Sequence, residues 1–548
     1  MADTNVQVNE VDKAEAVLDT AHVGDIKGAF GTIRLGDESR HRSWASRLTT
    51  LLAIAGPGLI VMVGDNDAGA FSTYAQAGQN YGTSLLWTLV LLVPVLYVNQ
   101  EMVLRLGAVT GVGHARLILE RFGKFWGAFS VIDLFVLNAL TIVTEFIGIG
   151  LALDYLGIPK LLGVSISALL VAAVVSTGSF RIFERFALAL VAGSLLLIPF
   201  FVFVHPPLAE IVRDTLIPNY PAGAKLSEVM LLIIAIVGTT VAPWQLFFQQ
   251  SYVIDKRITP RFIRYQRADL LIGIVIVIGG GIMIMAGAAA VFAGRPEFGN
   301  FADTLAVSNG IAKYYGKLPA VLFSIALIDA CLIGATAVSL STAYAIGDVF
   351  TLKHSLHRKP SDAIGFYTIY FALIALAAAL VLIPHAPLGL LTNAVQTLAG
   401  VLLPSASVFL LLLCNDKAVL GPWVNSRWVN IFTSLVVGVL VILSVILTMS
   451  VIFPDLSEGT IIAILAGGTV AGLLVGVAML LLRSKSEDQV ERINPLQRDS
   501  WRMPPLDQLE PVKLSLRYRF WMGVLRGYLI VASAMAIYKA VQMAFGHP

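Results

Sequence analysis

Twelve stretches of about 20 mainly apolar residues recur along the chain, each long enough to cross about 30 Å of hydrocarbon as an α-helix. They cover residues 50–75, 84–104, 126–152, 161–179, 184–204, 228–252, 269–293, 318–346, 364–384, 388–414, 428–453 and 460–482. No other feature of the sequence constrains the fold as strongly. The pattern predicts an all-α polytopic membrane protein.

The low charge content excludes a water-soluble protein. The 548 residues include 38 Lys and Arg, 35 Asp and Glu, and 57% hydrophobic residues. The polar segments 1–49 and 483–518 hold 14 and 13 of these charges. The apolar remainder therefore has too few polar side chains to cover a soluble surface. Soluble enzymes, disordered chains and nucleic-acid-binding proteins are excluded, and the expected surrounding is a lipid bilayer.

The charges of the loops predict an orientation. Lys and Arg gather after the even-numbered stretches, with five of them within residues 256–267, whereas the loops after the ninth and eleventh stretches have none. Because Lys and Arg favour the cytoplasmic side, the N-terminus and residue 483 are predicted to be cytoplasmic. We expect a multi-pass protein of the plasma (inner) membrane.

These patterns divide the chain into four segments. Residues 1–48 are predicted to be a cytosolic tail and residues 49–482 a transmembrane domain of about 12 helices. Residues 483–518 are polar and interrupted by prolines, which is typical of a linker. Residues 519–548 are predicted to form an apolar helix, either transmembrane or interfacial. We expect a monomer.

Charged residues interrupt the first apolar stretch at its middle. Asp65, Asn66 and Asp67 lie there between Gly64 and Gly69. A charge at mid-membrane costs about 3 kcal/mol or more, so these side chains should face the protein interior. Glycines tolerate an unwound backbone, and unwound backbone inside a membrane is tolerable where it lines a cavity or binds a ligand. The sequence therefore predicts a binding site at this break.

A second interruption lies five spans later, at Gly238, Thr239, Thr240 and Pro243. Alone, it would indicate a proline kink. Interrupted helices at corresponding positions of two halves instead indicate an inverted-repeat transporter with its site at the membrane midplane. Backbone carbonyls together with the Asp67 carboxylate would suit a hard cation.

Further motifs accompany the two breaks. They are GPG at 56–58, AQAG at 75–78, YG at 81–82, LLW at 85–87, LG and TG within 106–111, TEFIG at 144–148, VGTTVAP at 237–243 and NDKAVLG at 415–421. In this combination the chain resembles the natural-resistance-associated macrophage protein (Nramp) metal transporters over roughly residues 50–420. The resemblance implies a leucine-transporter-like fold, with spans 1–5 and 6–10 as inverted repeats and two or more additional helices.

The resemblance also implies a set of metal-site residues. Asp67 aligns with the metal-binding aspartate of the family, and Thr239 aligns with a position that supplies a backbone carbonyl. Gln396, on the tenth span, matches a glutamine near the metal. Two positions differ from the family pattern, because Ala70 replaces a metal-binding asparagine and Ala242 replaces a methionine.

The missing methionine points to one branch of the family. A thioether is a soft ligand that favours Mn²⁺ and Fe²⁺, whereas Mg²⁺ prefers oxygen ligands and keeps several waters. The pattern resembles the Nramp-related magnesium transporters, so we expect Mg²⁺, and also Mn²⁺, as the transported ion, with no resident cofactor. Asn66 or Asp65 could replace the missing asparagine.

The residues that would carry protons in coupled members are mostly absent. Trp244 stands in place of a histidine and Ile142 in place of an aspartate, although Glu145 is retained. No arginine lies between residues 363 and 384. We therefore expect transport without proton coupling. Thr240 is a further candidate pathway residue, and Asp329 could serve the pathway or make a buried hydrogen bond.

Three alternatives remain at the level of the sequence. The first is a proton-coupled Mn²⁺ or Fe²⁺ importer of the Nramp type. The second is an intramembrane aspartyl protease, in which Asp65 and Asp329 would share a proton about 3 Å apart. The third is a channel or receptor. We favour the transporter, with no enzymatic activity, because both broken helices are typical of transporters.

Overall fold

Helices form almost all of the regular structure in the described part of the chain. The computed structural model describes residues 16–36, 43–383, 388–453, 456–481 and 495–512, with isolated residues between 523 and 534. An antiparallel hairpin comes first, with β1 (Ile26–Gly28) paired to β2 (Gly31–Ile33). The helices are α1 (Trp44–Ile54), α2 (Pro57–Val63), α3 (Ala68–Tyr81), α4 (Leu86–Thr110), α5 (His114–Phe122), α6 (Lys124–Leu156), α7 (Lys160–Val175), α8 (Phe180–Gly193), α9 (Leu197–Val204), α10 (Leu208–Leu216), α11 (Leu226–Thr240), α12 (Pro243–Asp255), α13 (Ile263–Phe292), α14 (Thr304–Tyr315), α15 (Lys317–Phe350), α16 (Ile364–Val381), α17 (Leu388–Cys414), α18 (Lys417–Leu420), α19 (Arg427–Ile452), α20 (Glu458–Leu481) and α21 (Pro495–Ser500). Short 3₁₀ turns are found at Thr20–His22, Ser194–Leu196, Pro260–Phe262, Gly421–Trp423 and Leu506–Gln508.

All twelve predicted stretches fall on these helices. Within the described ranges, eight spans are long and apolar enough to cross a membrane, and there are ten if each of two bent helix pairs counts as one. Two shorter apolar helices cover Lys160–Val175 and Glu458–Leu474. The predicted all-α polytopic fold is therefore confirmed.

The first and sixth spans are both broken in the interior of the bundle. The first consists of α1, α2 and α3, and the sixth of α11 and α12. Helix α13 packs along α2, α3 and α4, while α15 packs along α6 and α12. These long unbroken helices surround the two breaks and keep them away from lipid.

Small residues allow the helices around the breaks to approach closely. A Cβ atom on Gly58 of α2 would lie 2.6 Å from the backbone nitrogen of Leu270 on α13. Such a contact is too short for any side chain, so glycine is required there. Close approach through small residues is the usual way in which membrane helices gain packing contacts, because apolar side chains gain little by leaving lipid.

The N-terminal region, predicted to be a cytosolic tail over residues 1–48, includes a described segment that packs on the bundle. The first helix begins at Trp44, and residues 16–36 form a 3₁₀ turn and the β-hairpin packed against one end of the bundle. Asp19 is buried there and binds Arg358, which follows α15, at 2.5–3.0 Å. Local hydrophobicity could not reveal this docking, because the docking depends on hydrogen bonds to residues between 155 and 339 positions away.

Two groups at this docking surface have shifted pKa values. Burial alone would raise the pKa of Asp19, but hydrogen bonds from Arg358 and from the backbone of Ala21 and His354 hold it at about 2. Burial alone would lower the pKa of His354, but the Asp348 carboxylate, 2.9 Å from Nε2, raises it to about 9. Both groups are therefore charged at neutral pH.

We expect the stability contributed by His354 to be lost at alkaline pH. Its folded pKa of about 9 exceeds the ordinary value of 6.5, so the contribution is complete below pH 6.5 and disappears as the pH rises through 9. The lowered pKa of Asp19 has the opposite effect: its contribution to the stability of the folded state is complete above pH 3.8 and is lost as the pH falls through about 2. The difference in melting temperature between the parent and His354→Gln should shrink between pH 6.5 and 9. A difference that stays constant over this range would contradict the assignment.

The described part of the C-terminal region also packs on the bundle. In the predicted linker 483–518, the backbone nitrogen of Met503 donates to the carbonyl of Val109, and that of Val512 donates to the carbonyl of Arg121. The predicted apolar helix 519–548 lies almost wholly outside the described residues.

Candidate metal-binding site

The first break is a four-residue interruption between α2 and α3. The backbone nitrogens of Asp65 and Asn66 bond three residues back, to the carbonyls of Met62 and Val63, so α2 ends in a tight turn. Asp67 then starts α3, because its Oδ1 accepts from the backbone nitrogen of Ala70 at 2.9 Å, as expected of an N-cap. All three polar residues are buried.

The second break is the two-residue interruption between α11 and α12. Val241 and Ala242 leave the helical conformation, and Pro243 occupies the first position of α12. In a continuous helix the carbonyl of Thr239 would accept from residue 243. Proline has no N–H, so this carbonyl is left without its helical partner and could bind a cation.

Two of the glycines expected at the breaks lie elsewhere. Gly69 lies inside α3 and Gly238 inside α11, so both are corrections to the prediction, whereas Gly64 and Pro243 do flank the breaks. None of these three glycines, Gly64, Gly69 and Gly238, has a positive φ angle. The breaks arise instead from the Asp67 cap and from the missing N–H of Pro243.

Polar side chains connect the two breaks directly. The Nε2 atom of Gln245, on α12, donates to Oδ1 of Asp65 in the first break. The Oε1 atom of Gln245 accepts from Gln100 of α4 at 2.8 Å. The hydroxyls of Tyr74 on α3 and Thr240 on α11 lie 2.7 Å apart. These contacts bring the interrupted backbones of the two spans together.

Sequence reasoning missed Gln100, Tyr74 and Gln245. All three are fully or almost fully buried. For the two glutamines a usable signal was present, because an amide side chain inside an apolar span needs a buried polar partner. Sequence alone did not show which partner each amide would meet.

Glu145 approaches the first break from α6. Its Oε2 accepts from the backbone nitrogen of Ala68 at 3.1 Å, next to Asp67, while its Oε1 has no hydrogen-bond partner. Helix α6 comes this close because of Gly148, where a Cβ would lie 2.6 Å from Sγ of Cys331 and 2.8 Å from Cβ of Ala68. The retained glutamate therefore adjoins the break.

The remaining predicted residues have different surroundings. Asn66 donates from Nδ2 to the carbonyl of Val277 on α13, and Trp244 is buried beside Gly64. Asp329 packs against Gly193 at the end of α8, and no described hydrogen bond joins it to either break. The aspartate pair required by a protease is therefore not seen in the described contacts. Gln396 lies within α17, but its side chain is outside the described part of the structure.

The site offers oxygen atoms rather than a cluster of soft ligands. Within the described ranges, no group of three or more His, Cys, Asp and Glu side chains could hold a metal. No described Lys, Arg or His forms an ion pair with Asp65, Asp67 or Glu145. Ala242, at the second break, contributes no ligand atom from its side chain. A carboxylate, a free carbonyl and the unpartnered hydroxyl of Thr239 fit a hard, partly hydrated cation.

The two ends of the bundle differ around this site. On the α14 side, a small cavity of about 10 Å³ reaches Ala68, with Ser72, Gly148, Asp303 and Thr392 among its lining residues. On the opposite side, Phe180 of α8 stacks on Tyr252 of α12, and Tyr252 stacks on Phe248. Phe248 in turn lies tilted against Trp244. Aromatic rings therefore lie along α12 between the site and the end of the bundle that carries the N-terminal segment.

Comparisons of sequence identify related proteins. A family model described as "Natural resistance-associated macrophage protein-like" matches residues 58–450. The divalent metal cation transporter MntH of Ralstonia nicotianae is 30% identical over 396 residues, which cover 69% of this chain and 86% of that protein. A protein of the same name from Xylella fastidiosa is 28% identical over 463 residues, which cover 80% of this chain and 92% of that protein.

Solved structures share the fold. A mutant of the Eremococcus coleocola manganese transporter superposes with a TM-score of 0.62 at 20% identity, covering 84% of this chain and 98% of that one. The same transporter in complex with an aromatic bis-isothiourea substituted compound superposes with a TM-score of 0.62 at 21% identity, and the match covers 82% of this chain and 97% of that one. The predicted leucine-transporter-like fold is thus confirmed.

Proposed function

Because the chain belongs to the natural resistance-associated macrophage protein-like (Nramp) family, we propose that it is a secondary transporter that carries Mg²⁺, and also Mn²⁺, across the membrane. The observation that carries the proposal is the pair of broken helices, which the contacts of Gln245 with Asp65 and of Tyr74 with Thr240 join in the interior of the bundle. Asp67 lies in one break, and the Thr239 carbonyl, which lacks its helical partner, lies beside the other. Transport by alternating access would expose this site first to one side and then to the other.

The choice of Mg²⁺ rests on the ligands available at the two breaks. Ala70 and Ala242 offer no side-chain ligand, so an ion bound beside Asp67 would keep several waters. Mg²⁺ loses its waters reluctantly and is often bound through one or two carboxylates. The support is therefore the chemistry of the available ligands, which are oxygen atoms.

The orientation is part of the proposal. We place the N-terminus and the end of the bundle that carries it in the cytoplasm of a plasma membrane, because Lys and Arg gather in the loops at that end. In this orientation the small cavity next to Ala68 would lie on the outer side of the site and the aromatic rings of α8 and α12 on its cytoplasmic side.

We expect metal uptake without proton movement. Trp244 and Ile142 cannot be protonated, so the histidine and the aspartate that would pass a proton onward from Asp67 and Glu145 are both missing. A proton relay across the protein needs a chain of titratable groups, each within reach of the next. Proteoliposomes that contain a trapped pH-sensitive dye, at clamped potential, should show no acidification while Mg²⁺ enters. A matched Glu145→Gln variant should give the same dye trace.

One observation favours a second candidate, the proton-coupled Mn²⁺ or Fe²⁺ importer. Glu145 is bonded to the backbone directly after Asp67, so the two carboxyl groups are close enough for an exchange of protons. Acidification that accompanies metal entry in the parent and disappears in Glu145→Gln would make this candidate the better description.

A further inference from the structure

Residues 16–36, here called the N-terminal strap, contact two elements through a dense set of hydrogen bonds. Arg257, two residues beyond the end of α12, donates to the carbonyl of Ala21 at 2.8 and 2.9 Å and to that of Asp25 at 3.0 Å. On α8, Glu184 accepts from the backbone nitrogen of Ala29 at 2.6 Å, and Arg185 donates to the carbonyl of the same residue at 3.0 Å. The strap thus binds α8 and the end of α12 at once.

The strap also contacts α1 and the loop after α15. A Cβ on Gly31 would lie 3.0 Å from Cβ of Ala53, so the hairpin lies directly on α1. In the loop, Asp19 accepts from Arg358 and from the backbone nitrogen of His354. One segment of 21 residues therefore bridges four parts of the bundle.

Aromatic side chains on α8 and α12 lie between the second break and this end of the bundle. The ring centroids of Trp244 and Phe248 on α12 lie 6.2 Å apart, and those of Phe248 and Tyr252 lie 5.2 Å apart. Tyr252 then stacks on Phe180 of α8 at 5.0 Å. An ion could pass this stack only if α8 and α12 moved apart.

We propose that the N-terminal strap holds this end of the pathway closed and must undock before an ion can leave past the aromatic stack. The inference rests on the proposed transport function, because only a transporter needs this route to open. The strap bonds to α8 and to the end of α12, so separation of the two helices must break one set of contacts. The hydrogen bonds that Arg257 makes to Ala21 and that Arg358 makes to Asp19 are only partly buried, so water can replace them when the strap undocks.

A cysteine behind the strap can report the opening. Ser251 is buried on α12, where its Oγ lies 3.4 Å from Asp348 of α15, and Ser251→Cys is a small change. The native Cys331 and Cys414 are buried, so the parent without the new cysteine measures background labelling. A membrane-impermeant maleimide is added in the absence of metal to proteoliposomes sorted so that the N-terminal side faces outwards.

Asp19→Asn, made in the Ser251→Cys chain, should raise the labelling rate at least tenfold. The matched control is Asp25→Asn, because among the described contacts the Asp25 carboxylate accepts only from Leu35 within the strap. The control should label at the rate of the parent. Arg358→Gln removes the same contact from the other partner and should act like Asp19→Asn.

The labelling experiment separates a failure of the strap proposal from a failure of the transport proposal. If Asp19→Asn and Arg358→Gln, both monodisperse, label no faster than Asp25→Asn, the strap does not hold the pathway closed. If only one of these two variants is monodisperse, the labelling rate of that variant alone tests the proposal. Labelling needs no metal, so a parent protein that carries neither Mg²⁺ nor Mn²⁺ would overturn the proposed function and leave the labelling result unaffected.

Discussion

Asp67→Asn should abolish Mg²⁺ flux while leaving the fold intact. Asparagine is as good an N-cap as aspartate, so α3 keeps its first turn, but the site loses its negative charge. Loss of a contact with a charged group is worth about 3 kcal/mol, so we expect metal flux in proteoliposomes to fall by about 100-fold or more. The measurement is Mg²⁺ entry under a fixed membrane potential.

A pair of further variants separates the ligand from the helix cap. Asp67→Ala removes both functions and should also lower the melting temperature, because loss of an N-cap costs about 1 kcal/mol. Asp154→Ala removes an exposed carboxylate at the end of α6 and should leave flux unchanged. Mg²⁺ flux at the parent rate in Asp67→Asn would show that the metal site lies elsewhere.

Ala242→Met should change the selectivity of the transporter from Mg²⁺ towards Mn²⁺ and Cd²⁺. Ala242 has an extended backbone (φ −86°, ψ 142°) that methionine can adopt without strain. A thioether at this position adds a soft ligand for Mn²⁺ and Cd²⁺ and takes up space that the waters of Mg²⁺ require. We expect a shift of about 10- to 100-fold in the ratio of Cd²⁺ to Mg²⁺ flux, equivalent to roughly 1–3 kcal/mol.

The matched control for this variant is Ala242→Leu. Leucine fills a similar volume without sulfur, so it should slow Mg²⁺ without favouring Cd²⁺. If the methionine and leucine variants gave the same ratio of Cd²⁺ to Mg²⁺ flux, the effect would be one of volume, and the argument from ligand chemistry would fail.

Much of the candidate site could be anticipated from local patterns. Two carboxylates inside an apolar stretch are costly in lipid, which correctly placed the first break near Asp67. The proline at 243 removes one N–H wherever the chain folds, so a free carbonyl at Thr239 follows from helical spacing alone. The glycines misled the prediction, because Gly69 and Gly238 are compatible with the ordinary helical conformation in which the structure places them.

The contacts between the breaks could not be anticipated. Gln245 and Asp65 are 180 positions apart, and nothing in either local sequence says that the two side chains meet. The same holds for Asp19 and Arg358, which are 339 positions apart. Such pairs are decided by how whole helices pack, which depends on many small contacts over the full chain.

The sequence by itself determined that this protein is a bundle of membrane-spanning helices with two interrupted spans, because apolar length, buried charge and a missing N–H act locally and independently of the rest of the chain. Only the tertiary structure decided which groups face one another at the breaks, and that the N-terminal segment docks over one end of the bundle. The physical reason is that hydrogen bonds between distant residues form only after packing has placed the partners within about 3 Å of each other.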